Sequence, residues 1–85
     1  MPYQIDFCPS VRRSLLKLPR HIQIRIASAL DGLVQNALPP GVKKLIGEEN
    51  VYRIRVGDYR VIYQIQSGKL LILVLKIGHR KEIYR

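Results

Sequence analysis

Hydrophobic and polar residues alternate along positions 3–7, and this period of two predicts a half-buried β-strand. From Pro9 the apolar spacing changes to three and four residues, which is the repeat of one face of an α-helix. Pro9 suits a first helical turn, and Pro19 ends that helix and is able to begin the next. The pattern therefore predicts a helical hairpin whose second helix covers residues 20–36. The apolar positions of the two helices are Val11, Leu15, Leu18, Ile22, Ile26, Ala29, Leu30 and Leu33.

Three further strands are predicted after a loop over residues 38–50, which opens with two prolines and a glycine. Residues 51–56 and 59–66 flank Gly57-Asp58, a dipeptide suited to a two-residue hairpin turn. The third strand, over residues 70–77, is apolar almost throughout, which is typical of a strand inside a sheet. Ser67-Gly68 is expected to form the turn before it, and Gly78 is expected to end it.

The order of these elements predicts an α+β fold. An N-terminal strand and a two-helix hairpin are followed by a three-stranded antiparallel meander, and together the strands form one twisted sheet. The helices are expected to cover one face of it. A chain of 85 residues is too short for two hydrophobic cores, so residues 1–85 are expected to form a single domain.

The net charge narrows the choice of partner. Fifteen Lys and Arg residues against six Asp and Glu residues leave a formal charge of +9. Dense positive charge favours polyanions, either nucleic acid or an acidic protein segment. Residues 51–85 carry eight basic and two acidic groups, so the part that contains the predicted hairpin is the more positive one.

Several classes of protein are disfavoured. The one cysteine, Cys8, permits neither an internal disulfide nor a zinc site built from thiolates, and it fits a reducing cytosol. No apolar run reaches about 18 residues, and the N-terminus lacks a signal-peptide pattern. Two distant histidines, His21 and His79, and six scattered acids form no recognisable ligand set. We therefore expect a soluble, cytoplasmic protein with no membrane partner, no metal and no other cofactor.

Arginines interrupt the otherwise apolar hairpin sequence VYRIRVGDYRVIYQI. If Gly57-Asp58 is the whole turn, Arg55 pairs with Arg60 and Arg53 lies beside them, all on the face away from the helices. Like charges placed opposite each other cost a few tenths to about 1 kcal/mol. A solvated basic face is the plain alternative, but it leaves this concentrated repulsion uncompensated. A phosphate-binding surface accounts for the arrangement, because forked guanidinium donors match phosphate oxygens.

The last predicted strand is expected to extend this cluster of arginines. A two-residue turn before it would place Leu75 beside Arg60, and His79 and Arg80 would then emerge at the same end of the sheet. His79 and Tyr84 would add groups that are able to move protons or to stack on bases.

The same hairpin, the hydrophobic strand after it and the ending KIGHRKEIY resemble toxins of the RelE/ParE superfamily of bacterial and archaeal toxin–antitoxin systems. The resemblance covers nearly the whole chain and includes the loop Lys44-Leu45-Ile46-Gly47. It implies a RelE-like fold and an endoribonuclease that cleaves mRNA in the ribosomal A site and so inhibits translation. It also implies that a co-encoded, RelB-like antitoxin silences the toxin, and that the ribosome with its rRNA is the other partner.

The resemblance further implies metal-independent catalysis by basic residues, in which the ribose 2′-OH attacks phosphorus and leaves a 2′,3′-cyclic phosphate and a 5′-hydroxyl. Arg60 and Arg80 are expected to hold the phosphate, and Arg53 and Arg55 the RNA backbone. Arginine stands at two positions where the family has lysine, and it is a poorer general base because it stays protonated. The identities of the general acid and base therefore stay open. The expected catalytic residues are Arg53, Arg55, Arg60, His79, Arg80 and Tyr84, with Lys44 and Lys81 binding substrate.

Two other functions stay open. The gyrase-inhibiting branch of the superfamily shares the fold, lacks the catalytic cluster and acts by binding a protein target. A non-catalytic nucleic-acid-binding module would also explain the charge. Retention of the four arginines together with Tyr84 favours the nuclease.

Overall fold

Two helices pack on one face of a five-stranded sheet in the computed structural model, which describes residues 2–79. The sheet order is β1-β5-β4-β3-β2, with β1 parallel to β5 and the other neighbours antiparallel. The predicted α+β fold is therefore confirmed. Arg80, Lys81 and Tyr84 lie outside the described residues. The elements are β1 (Gln4–Phe7), α1 (Pro9–Leu16), α2 (Arg20–Gln35), β2 (Lys43–Lys44), β3 (Val51–Val56), β4 (Tyr59–Gln66) and β5 (Leu71–His79).

The core lies between the helices and the sheet face that was predicted to meet them. In each central strand the apolar side chains of the core point to the helices and the intervening positions face away, among them Arg60, which is buried on that other face. On the hairpin the helix-covered face holds Tyr52, Ile54, Val56, Val61 and Tyr63, and the three arginines lie on the other face, as predicted. The buried cluster consists of Val11, Ile26, Leu30, Leu33, Ile54, Val56, Val61, Tyr63, Ile65, Ile72, Val74 and Ile77.

The turn between β3 and β4 has the predicted two residues, so Arg55 pairs with Arg60. Gly57 has φ +61° and Asp58 does not have a positive φ, which is the pattern of a type II′ turn. A side chain at Gly57 would also begin 3.1 Å from a guanidinium nitrogen of Arg25, which α2 places over the turn. The backbone conformation therefore favours glycine there, and a larger residue would also require the flexible side chain of Arg25 to shift.

The predicted register between β4 and β5 is wrong. The connection is a three-residue 3₁₀ turn, Ser67–Lys69, followed by Leu70 in the left-handed conformation at φ 50°. A β-bulge then adds Leu75 to β5 opposite the step between Ile62 and Tyr63. These irregularities move the ladder by three positions, so that Gly78 pairs with Arg60 in place of Leu75. Gly78 also does not end the strand, which continues to His79 because the ladder still pairs it with β4.

The predicted loop over residues 38–50 contains a short strand that the sequence pattern did not reveal. Lys43 pairs with Arg53 and Lys44 with Tyr52, which makes β2 an edge strand. The start of this segment is held by Tyr63, whose hydroxyl donates a 2.6 Å hydrogen bond to the carbonyl of Ala37. Burial, and to a smaller degree the neighbouring Tyr52, raise the pKa of Tyr63 to about 12.

Replacing Tyr63 with phenylalanine tests this anchor. We expect Tyr63→Phe to lower the free energy of unfolding by about 1–3 kcal/mol at neutral pH, because the partly buried carbonyl of Ala37 loses its donor. The parent should also lose stability as the pH rises from 10 to 12, because the unfolded chain releases the phenolic proton near 10 and the folded chain retains it to about 12. Urea denaturation at several alkaline pH values measures both effects.

The half-buried Tyr3 provides the control, since Tyr3→Phe should retain the alkaline loss of the parent. If Tyr63→Phe follows the same alkaline curve as the parent, the raised pKa of Tyr63 does not contribute to stability.

Candidate functional site

A cationic cleft of about 350 Å³ lies on the sheet face opposite the helices. Within residues 2–79 it is lined by Gly41, Lys43, Arg53, Arg55 and Arg60. β2 supplies the lysine, β3 the first two arginines and β4 the third. Strand alternation puts all four cations on one face, and no acid is present among these lining residues. The cleft is therefore suited to an anion with several oxygens, such as a phosphate.

Lys43 is the cleft residue that the sequence did not suggest. It pairs with Arg53 across the ladder and shares that residue's face. Lys44, the predicted substrate-binding residue, pairs with Tyr52 and turns to the opposite side of the sheet. The structure therefore brings Lys43, not Lys44, beside the arginines. Two adjacent lysines in the sequence could have indicated a cation at this place, but only the register of β2 decides which of them enters the cleft.

Arg60 is the most enclosed of the cleft cations, with 8% of its surface exposed. One terminal nitrogen donates to the carbonyl of Tyr59 at 3.3 Å. Its ladder neighbour Gly78 has no side chain, which leaves room for the arginine to lie along the sheet. A guanidinium in this environment is screened less by water and is held in one place, so it acts more strongly on a bound anion. The sequence predicted a surface arginine and did not reveal this burial.

Arg55 lies directly across from Arg60 but is exposed to solvent. Its Nε donates to the carbonyl of Gly57 at 3.2 Å, so the turn orients the side chain. This hydrogen bond leaves the two terminal nitrogens of Arg55 to donate to a ligand. The expected like-charge pair is therefore present, with one member buried and the other oriented by the turn.

His79 does not share the face of the cleft. It pairs with Tyr59, and the two rings meet edge to face with centroids 5.5 Å apart. Strand alternation places this pair on the side opposite Gly78 and Arg60. The catalytic role of His79 remains a prediction, and the other expected members Arg80, Lys81 and Tyr84 lie outside the described residues.

Two further properties concern residues 2–79 only. No group of three or more His, Cys, Asp and Glu side chains is placed to hold a metal ion. No helix in that range combines the length and apolar character needed to cross a membrane.

Comparison with known proteins finds similarity over almost the entire chain. Residues 5–84 match the family model described as the ParE toxin of the type II toxin–antitoxin system parDE. Toxin RelG of Mycobacterium tuberculosis is 32% identical over 87 aligned residues, which cover 100% of this chain and 99% of that protein.

Solved structures agree with this similarity. The archaeal RelE–RelB complex from Pyrococcus horikoshii gives a TM-score of 0.83 at 33% identity, with 94% of this chain and 97% of that chain covered. The isolated RelE toxin of Escherichia coli gives a TM-score of 0.82 over 96% of this chain and 90% of that chain. At 24% identity the latter likeness concerns the fold alone.

Substitution of Arg55 tests the electrostatic strain in the cleft. At low ionic strength the repulsion between Arg55 and Arg60 is screened less, so it destabilises the parent more. We therefore expect Arg55→Gln to gain stability relative to the parent as the salt concentration falls. The shift should be a few tenths to about 1 kcal/mol. Urea denaturation between low and high salt measures it.

Lys17→Gln is the matched control, because Lys17 is an exposed cation at the end of α1, away from the cleft. Equal salt dependence in the two variants would show that the cleft holds no more repulsion than the general surface.

Proposed function

The chain belongs to the RelE/ParE family of type II toxin–antitoxin toxins, and on that basis we propose that it is a metal-independent ribonuclease that cleaves mRNA in the ribosomal A site. The observation that carries this proposal is the convergence of Lys43, Arg53, Arg55 and Arg60 in one cleft. Residues 1–85 would form a single RelE-like toxin domain. Action on ribosomes would place the protein in the cytoplasm, in contact with mRNA and rRNA.

The chemistry is an in-line displacement within the RNA strand. A bond forms between the 2′-oxygen and phosphorus, and the bond from phosphorus to the 5′-oxygen breaks. The proton of the 2′-OH is removed and the departing 5′-oxygen gains one, so the products are a 2′,3′-cyclic phosphate and a 5′-hydroxyl. Negative charge builds on the phosphoryl oxygens in the transition state, and preorganised donors that meet it lower the barrier.

Each cleft residue suits a part of this reaction. Arg60 is buried and fixed, so its guanidinium is suited to the phosphoryl oxygens at which charge develops. Arg53 and Arg55 are suited to hold the flanking backbone, and Lys43 adds a compact fourth charge. Arg80 is proposed as the second phosphate-binding arginine and Tyr84 as a stacking or orienting group, with Lys44 and Lys81 as further contacts to RNA. His79 is the proposed proton donor or acceptor.

Inhibition of gyrase is the second candidate, and the name of the matching family model is what favours it. The relatives named RelE and RelG, together with the cationic cleft, favour the nuclease. Expression without a partner separates the two functions. Immediate loss of protein synthesis with DNA supercoiling intact would support the nuclease, whereas an early DNA-damage response with continuing translation would support gyrase.

Cleft variants test the chemistry. On ribosomes programmed with mRNA, Arg53→Gln and Arg55→Gln should each lower the cleavage rate by about 100-fold or more, because each removes a charged donor near the transition state. Arg60→Lys should do the same, because it retains the charge and much of the buried volume but loses the forked donors. Rates measured by primer extension, together with analysis of the product ends, provide the readout.

Arg13→Gln, an exposed substitution on α1, should cleave at the parental rate. The parent should continue to cleave when free magnesium is chelated as far as ribosome integrity permits. Parental rates in all three cleft variants, or products that end in 3′-hydroxyl and 5′-phosphate, would contradict the proposed mechanism.

The second proposed partner is a co-encoded, RelB-like antitoxin that neutralises the toxin. The net charge of +9 favours an acidic or amphipathic segment laid along the protein. Its association rate should fall as salt rises, because long-range attraction steers the encounter. Stopped-flow mixing with the product of the adjacent gene measures this rate. No binding at any salt concentration would count against a cognate antitoxin.

A further inference from the structure

An apolar groove of about 440 Å³ opens where α2, the segment after it and β3 meet. Its walls come from one face of the last turns of α2, from two consecutive prolines and from the outer edge of β3. The proposed reaction uses none of these walls except Arg55. Within the described residues the lining is Ala29, Gly32, Leu33, Asn36, Pro39, Pro40, Gly41, Ile54 and Arg55.

The groove continues from the cationic cleft. Gly41 and Arg55 line both of them, so the two concavities meet over the edge of β3. β2 is too short to separate them, because its ladder with β3 ends at the pair formed by Lys43 and Arg53. A ligand whose anionic group lies in the cleft would therefore bring its neighbouring group to the groove.

The boundary of the groove offers polar groups as well as apolar walls. Leu45 donates its backbone N–H to the carbonyl of Val51. Because backbone groups alternate along an antiparallel strand, those of Val51, Arg53 and Arg55 all point towards the side of β3 on which β2 lies. Arg55 is the next such residue after Arg53 and lies beyond the last β2 pair, so its N–H and C=O are directed to the open edge. Asn36 accepts the N–H of Leu38 with Oδ1 at 3.2 Å, which leaves its NH₂ as a donor.

We propose that this groove binds one unstacked nucleobase of the RNA strand whose phosphate lies in the cationic cleft. The proposal rests on the proposed function for the identity of the strand. Charge complementarity favours this occupant, because a ligand that fills both concavities places an anion among four cations and an apolar group beside them. A ribonucleotide does both. Its base would lie against Ala29, Pro39 and Pro40, and its edge would meet the polar groups of Arg55 and Asn36.

Gly32 allows the groove to be filled without disturbing the fold. It lies within α2 and lines the groove, and a Cβ at this position meets no atom within 4 Å beyond its chain neighbours and the adjacent backbone of its own helix. Leucine is also a better helix former than glycine, so Gly32→Leu should fold at least as stably as the parent. Ala27→Leu adds an exposed leucine on the same helix, outside the groove, and serves as the matched control.

The probes are an oligoribonucleotide of about five residues, 2′-O-methylated throughout to prevent cleavage, and an abasic oligonucleotide with the same number of phosphates. Fluorescence anisotropy at low salt gives the Kd of each protein for each probe. The parent should bind the base-containing probe more tightly than the abasic one. Gly32→Leu should weaken binding of the base-containing probe by about tenfold and leave the abasic probe unchanged. Ala27→Leu should match the parent with both.

Three results would overturn the proposal. The first is that the parent binds both probes equally or binds neither. The second is that Gly32→Leu binds the base-containing probe as tightly as the parent does. The third is that Gly32→Leu binds both probes more weakly by the same factor. Loss of antitoxin binding with RNA binding unchanged falls under the second of these and would assign the groove to an antitoxin segment. A protein that shows the predicted base-dependent loss but fails to cleave mRNA on ribosomes would retain the groove assignment and disprove the nuclease.

Discussion

A two-residue turn permits one pairing of the strands it joins, and at Gly57-Asp58 that pairing sets Arg55 against Arg60. The positive φ of Gly57 favours glycine at this point, and the side chain of Arg25 packs over the turn. A shift of one residue would turn the arginines of β3 towards the helices and the core side chains towards solvent. The burial of the helix-facing residues therefore stabilises the same register that assembles the cationic cleft.

Burial and exposure divide the roles within the cleft. Arg60 is enclosed beside Gly78 and bonded to the backbone, whereas Arg55 is exposed and oriented through Gly57. A fixed, poorly hydrated guanidinium loses little hydration and little side-chain freedom when it binds an anion. The exposed Arg55 would be able to adjust its side chain to the RNA backbone next to that anion. The repulsion between them weakens the folded protein slightly and favours any ligand that neutralises it. In the proposed function, the same concentration of charge would serve both RNA binding and recognition of an acidic partner.

The sequence predicted those parts of the fold that rest on local signals. Period-two and period-three-to-four patterns located the helices and the main strands, and Gly57-Asp58 determined the hairpin register. The connection between β4 and β5 was mispredicted because Leu70 adopts a left-handed conformation that is rare for leucine, and because the bulge at Leu75 has no glycine to signal it.

The cleft was predicted only as far as those local signals extended. Arg53, Arg55 and Arg60 were identified because their turn was recognised. Lys43 was missed because a two-residue strand is too short to show a period. The burial of Arg60 and the position of His79 on the other face both follow from the β4–β5 register, so the error in that register hid both.

The central claim is that the phosphate of the RNA lies among the cations of the cleft. The most direct measurement is NMR observation of the arginine Nε–H resonances while a 2′-O-methylated oligoribonucleotide is added to the protein. We predict that the resonances of Arg53, Arg55 and Arg60 shift together and saturate at one ligand concentration. Shifts confined to the arginines of the helices, such as Arg13 and Arg20, with the cleft resonances unchanged, would contradict the claim.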